Sequence, residues 1–86
     1  MQLDIITPDR KVFSGEVSSV TVQGSEGQFQ VLNGHAAIIS TLDKGPITVK
    51  TATGENQFQA EGGVVEVLNN KVIVLVEKVE GNVTAE

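Results

Sequence analysis

Turn signals punctuate this chain at short, regular intervals from one end to the other, and that spacing restricts the fold more than any other feature. They fall at Thr7-Pro8-Asp9-Arg10, Gly24-Ser25-Glu26-Gly27, Asn33-Gly34, Asp43-Lys44-Gly45-Pro46, Ala52-Thr53-Gly54-Glu55-Asn56 and Asn69-Asn70. Proline presets φ, and glycine and asparagine tolerate φ > 0, so such residues reverse a chain with little strain. The segments between them are too short for helices and show no sustained helical period. Short strands at this spacing predict a sandwich or a barrel.

The intervening segments carry the strand period. Gln2–Thr7, Lys11–Ser14, Val17–Gln23 and Gln28–Leu32 read as strands, as do His35–Thr41, Ile47–Thr51, Gln57–Ala60, Val64–Leu68 and Lys71–Glu77. In the third, Val20 and Val22 share one face while Thr21 and Gln23 share the other; in the fourth, Phe29 and Val31 lie together. Gly62-Gly63 predicts a bulge or a close backbone approach. Lys71–Glu77, reading KVIVLVE, is apolar on both faces and predicts a buried central strand. The end of the chain is small, polar and acidic, which predicts a domain over 1–80 and a flexible tail over 81–86.

Composition agrees. Fourteen valines and six isoleucines stand against three phenylalanines and no tyrosine or tryptophan in 86 residues. β-branched side chains lose rotamer freedom in helices and suit a pleated surface, so the core is aliphatic and the class is all-β. A chain of this size makes one domain and buries roughly 60–65% of its unfolded surface, which leaves little room for a deep active site.

Charge and chemistry exclude several functions. The formal net charge is −5, and the six lysines and arginines are scattered. Phosphate backbones are bound by clustered cations, so neither nucleic acid nor an anionic membrane surface is an expected partner. Cysteine is absent, which rules out disulfides and cysteine-ligated metals and suits a reducing compartment. No apolar run is long enough to span a membrane as a helix. MQLDIITPDRK has neither the basic start nor the apolar block of a signal peptide.

Catalytic patterns are sparse. His35 is the only histidine, and a nucleophile needs a base beside it that the sequence does not supply. A turn-packing or exposed histidine is the simpler reading. No HxH, HExxH or carboxylate cluster has metal-ligand spacing. Gly24-Ser25-Glu26-Gly27 lacks the Lys-Ser/Thr end of a phosphate-binding loop and carries an anion of its own, so it reads as a hairpin turn. What remains is an interaction role for the residues at the turn tips.

In order along the chain stand Leu3-Asp4-Ile5-Ile6-Thr7-Pro8, Phe13-Ser14-Gly15, Val20-Thr21-Val22, Gly24-Ser25-Glu26-Gly27, Asn33-Gly34-His35-Ala36, Leu42-Asp43-Lys44-Gly45, Gly62-Gly63-Val64-Val65-Glu66-Val67 and Val72–Glu77. Through this ordered set Met1–Glu80 resembles the N-terminal β-sandwich domain of the epsilon subunit of F-type ATP synthases, called delta in mitochondria. The resemblance implies a ten-stranded, two-sheet sandwich without catalytic residues or cofactor. It implies a place in the central stalk at the cytoplasmic face of a bacterial membrane. There the domain would meet the gamma subunit and the c-ring and couple one to the other during proton-driven ATP synthesis.

Carried over by position, Gln28, Asn33, Gly34, His35 and Ala36 are expected to face the c-ring from one end of the sandwich. Thr7, Ile39, Thr41 and Leu42 are expected to touch gamma. Two departures stand out: Ala37 occupies a position where the family usually has proline, and the C-terminal helical hairpin of many bacterial members has no counterpart in these residues. The competing class is a small acidic carrier domain of the biotinyl or lipoyl kind. It needs a modifiable lysine at a hairpin tip, and neither Lys44 nor Lys71 has that setting.

Overall fold

The computed structural model describes the backbone of residues 1–85 and the side chains of residues 1–80. Eight strands follow one another: β1 (Gln2–Ile6), β2 (Lys11–Glu16), β3 (Ser19–Gly24), β4 (Gly27–Leu32), β5 (Ile38–Leu42), β6 (Gly45–Lys50), β7 (Glu55–Leu68) and β8 (Lys71–Ala85). The class is all-β, as the turn spacing predicts. The count is eight where ten were expected, and the reason is visible in the two last strands. β7 pairs with β6 through its first half, from Glu55 to Ala60, and with β5 through its second half, from Gly63 to Val67. β8 stays beside β7 along both halves. Each long strand therefore serves two layers, and counting each once per layer recovers ten.

One layer holds β2, β1, the first half of β8, the second half of β7, and β5. The other holds β4, β3, β6 and the remaining halves of β7 and β8. The corner lies at Gly62 and Gly63. Gly62 has φ 55°, a left-handed conformation that β-branched residues avoid. Gly63 has no room for a side chain, because a Cβ there would collide with the Leu75 carbonyl oxygen and stand 2.9 Å from Val76 Cα. Of the two readings of the glycine pair, the close backbone approach is what Gly63 makes; the register to β8 runs unbroken from Glu61 to Gly63, and its irregularity lies at Gln57/Gln59. The predicted break between Gln57–Ala60 and Val64–Leu68 is a bend within one strand.

The alternation in the sequence becomes the core. Leu3, Ile5, Val65, Val67, Val72 and Val74 point inward from the first layer, and Val20, Val22, Val31, Ile47, Val49 and Phe58 from the second. All belong to one buried cluster. Phe13 meets Phe58 edge to face, with centroids 6.0 Å apart, a favoured aromatic geometry.

Strand boundaries move where local hydrogen bonds decide. The fifth strand starts at Ile38 rather than His35, because the His35 amide closes a turn on the Leu32 carbonyl (3.1 Å). Asn69 and Asn70 have φ 51° and 62°, the left-handed pair that a two-residue hairpin turn requires. The tail expected over 81–86 falls where only the backbone of β8 is described, paired as far as Ala85 with Glu55; its side chains and Glu86 lie outside the described residues.

Candidate interaction face

The strand β8 corrects one expectation outright. Val72, Val74 and Val76 are buried, but the other face of KVIVLVE is open: Leu75 is 50% exposed and Ile73 half-buried. β8 is central by pairing, lying between β1 and β7, yet among the described residues nothing covers the outer side of Lys71–Val76. Its second apolar face belongs to the surface.

Strand register extends that face across the layer. Ile6, Leu75, Val64 and Thr41 lie side by side on β1, β8, β7 and β5. The adjacent row runs Asp4, Ile73, Glu66, Ile39, and beyond it Gln2, Lys71 and Leu68. Ile39 is 71% exposed and Leu68 52%. Directly opposed side chains stand about 5 Å apart, so Ile6, Leu75, Val64, Ile73, Ile39 and Leu68 form a mainly apolar surface, interrupted by Glu66 and bordered by Thr41, Asp4, Gln2 and Lys71. Two shallow grooves lie on it. One, of ≈ 400 Å³, is lined by Ile6, Pro8, Val64 and Leu75; the other lies between Ile39, Leu68 and Ala37.

The polar margin of the face is built on β1 and β2. Ser14 Oγ donates to Asp4 Oδ1 at 2.7 Å, and Gln2 Nε2 donates to the same oxygen at 3.1 Å. The Ser14 hydroxyl holds the Asp4 carboxyl below the usual carboxylate range, with Gln2, Lys11 and Lys71 adding to the effect against the opposing cost of burial.

The residues expected to touch gamma divide. Ile39 and Thr41 are exposed on the apolar face. Leu42 points into the core at 7% exposure, so its side chain offers a partner almost no surface. Thr7 is buried as well, and its hydroxyl serves the turn before β2, donating to Asp9 Oδ1 at 2.7 Å. Sequence reasoning missed Leu75, Leu68, Val64 and Ile6. For Leu75 the signal is the two-sided apolar pattern of KVIVLVE; Ile6, Val64 and Leu68 join it only through the pairing of β1 and β7 with β8.

The residues expected on one end of the sandwich divide too. β4 pairs with β3 so that Gly27 opposes Gly24 and Leu32 opposes Ser19. Gln28 therefore sits at one end of β4 and Asn33–Ala36 at the other, roughly 15 Å apart at the rise of a strand. At the Gln28 end, Ser25 and Glu26 are exposed beside Asp43 and Lys44. The Ser25 amide donates to the Thr41 carbonyl (3.0 Å) and the Asp43 amide to the Gln23 carbonyl (2.9 Å), which fastens the two loops together. Gln28 is exposed, with its carboxamide oxygen accepting from Gln23 Nε2 at 3.2 Å.

At the opposite end the polar groups are largely engaged within the molecule. Asn33 Oδ1 accepts from the Met1 amino group (2.9 Å), and the Gly34 amide donates to Asn70 Oδ1 (3.0 Å). His35 is half-buried and its Nδ1–H donates to the Ala36 carbonyl at 2.7 Å. Among the described residues no serine or carboxylate side chain bonds to it, and no group of three or more His, Cys, Asp or Glu is placed to hold a metal. No helix among the described residues is long and apolar enough to cross a membrane.

Comparisons with known proteins agree with this geometry. A family model described as ATP synthase, Delta/Epsilon chain, beta-sandwich domain matches residues 1–82. An ATP synthase epsilon chain of Chlorobium limicola is 44% identical over 79 residues, covering 91% of this chain and 90% of the relative. That of Salinibacter ruber is 38% identical and covers 93% of this chain but 60% of its own length. Among solved structures, a chain of the Euglena gracilis mitochondrial ATP synthase (OSCP/F1/c-ring) superposes with a TM-score of 0.86 at 23% identity, covering 91% of this chain and 51% of that one. A chain of the Tetrahymena thermophila mitochondrial ATP synthase (central stalk/c-ring) gives 0.82 at 21% identity, covering 93% and 65%. At these identities the structural likeness speaks for the fold.

Proposed function

Because the chain belongs to the family of ATP synthase delta/epsilon-chain β-sandwich domains, we propose that it is a non-catalytic rotor component that joins the gamma shaft to the c-ring. The observation that carries this reading is the uncovered apolar face of β1, β8, β7 and β5. Exposed apolar surface of this extent marks an interaction site on a soluble domain. A face of packed strands also suits torque, since close-packed interiors deform little.

In this reading gamma covers Leu75, Val64, Ile6, Ile39 and Thr41. Leu42 and Thr7 act behind the face, one as core and the other in the turn. The c-ring meets the Gln28 end, where the exposed side chains of Glu26, Asp43 and Lys44 make no hydrogen bond or ion pair among the described residues, while the Ser25 hydroxyl is bonded to Thr41 Oγ1. The Asn33–Ala36 loop then faces away from the ring, since its polar groups are largely engaged within the domain. The domain would be held peripherally on the cytoplasmic side of the membrane through these contacts.

Co-purification tests the proposal. The chain mixed with folded gamma should elute as one complex from a sizing column, and Leu75→Ser should abolish or strongly reduce it while leaving the urea midpoint of the free domain unchanged. Separate elution of the unaltered chain would overturn the reading.

A further inference from the structure

One side chain on the apolar face is out of keeping with its surroundings. Glu66 is exposed near the C-terminal end of β7, within the apolar face. Across the strands it faces Ile73 on β8 and Ile39 on β5. Along its own strand Val64 and Leu68 flank it on the same face. Four apolar residues therefore ring one carboxylate. Among the described residues no ion pair engages it. The nearest cation by register is Lys71, opposite Leu68 and so diagonal to Glu66, and the other carboxylate of the row, Asp4, is bound to Ser14 and Gln2.

The sheet has no need of a glutamate there. Glutamate is depleted in strands, and a threonine or valine would suit the pleat better. Its effect appears when the face is covered. A partner that docks on the surrounding isoleucines and leucines strips water from the carboxylate. An unmatched carboxylate in a dry interface is strongly unfavourable, whereas a matched one is held by a short, charge-assisted bond. A lone charge in an apolar patch thus rejects partners without a cation at that point and admits those that have one.

We propose that Glu66 is the specificity-determining residue of the docking face, and that the gamma surface covering it is apolar with one lysine or arginine directed at this carboxylate. The proposal rests on the reading that gamma docks on this face. It predicts the sign of a substitution: removing the charge weakens binding if a cation meets it and tightens binding if none does.

The test is a calorimetric titration of the full chain into purified gamma at low and high salt, with Glu66→Gln and Leu75→Ser as variants whose urea midpoints match the unaltered domain. Glu66→Gln should weaken binding by about tenfold or more, as expected when one partner of a covered charge pair is lost, and should flatten the salt dependence. Binding that is unchanged or tighter for Glu66→Gln, while Leu75→Ser weakens it, overturns the proposal and leaves the docking reading intact. Binding unaffected by either variant overturns both.

Discussion

At the scale of single residues, the two asparagines of the last hairpin show how much one side chain can do beyond its local turn. Asn70 has φ 62°, which glycine would adopt more readily. Its carboxamide oxygen accepts the Gly34 amide (3.0 Å) while its backbone carbonyl accepts the Gln2 amide (3.2 Å). Asn70→Gly should keep the hairpin and release the loop. Exchange of the Gly34 amide, followed by NMR, should speed up by about two- to tenfold, the range of one net hydrogen bond, and Asn70→Asp should restore protection. Core and surface separate as cleanly. Val74→Ala should cost about 1–3 kcal/mol in urea unfolding, whereas His35→Ala should stay within about 0.5 kcal/mol. Asp4 sets a pH dependence. Its folded pKa lies below the ordinary 3.8, so its contribution is fully present above that value and fades as pH falls through the lowered one. Asp4→Asn should flatten the acid limb of the stability profile. Val74 was legible as core from the apolar run KVIVLVE. The partners of Asn33 and Gly34 were not, because they lie far away in sequence, and the Ser14 bond to Asp4 depends on the pairing of β1 with β2.

At the scale of elements, β7 carries the lesson. Its two apolar segments were readable, and so was the glycine pair between them. That they form one strand turning from layer to layer was not, because a bend and a break share the same signature in sequence. The two glycines serve different ends and should respond differently. At Gly62 an added Cβ meets open space, so Gly62→Ala carries only the left-handed backbone cost of about 1–2 kcal/mol. At Gly63 it strikes the backbone of β8, and Gly63→Ala should cost at least about 3 kcal/mol. Urea midpoints of the two variants check the order. β8 shows the opposite limit: KVIVLVE identifies a central strand correctly, but a two-sided apolar pattern does not say whether the second side is covered by this chain or by another.

At the scale of the whole molecule, the arrangement of ends decides which contacts are compatible. Gln28 and His35 lie seven residues apart, near enough in sequence to be read as one surface, and a strand separates them in space. The chain has no cysteine, which makes the consequence easy to test. In the assembled enzyme, Gln28→Cys should cross-link to cysteines placed in the polar loops of the c-ring, and His35→Cys should not. Cross-linking from His35 alone would reverse the orientation proposed for the domain.

What the sequence by itself determined is local in origin. The all-β class, the turns and the inward residues follow from backbone chemistry and the two-residue period, and the ordered motifs carried the family. Tertiary structure alone decided which apolar face stays open, that Leu42 and Thr7 turn inward, that Gln28 and His35 occupy opposite ends, and that Glu66 stands ringed by Val64, Leu68, Ile39 and Ile73. The Gln28–His35 separation is the length of β4; the others depend on register between strands distant in the chain, which is settled by packing the whole sandwich at once.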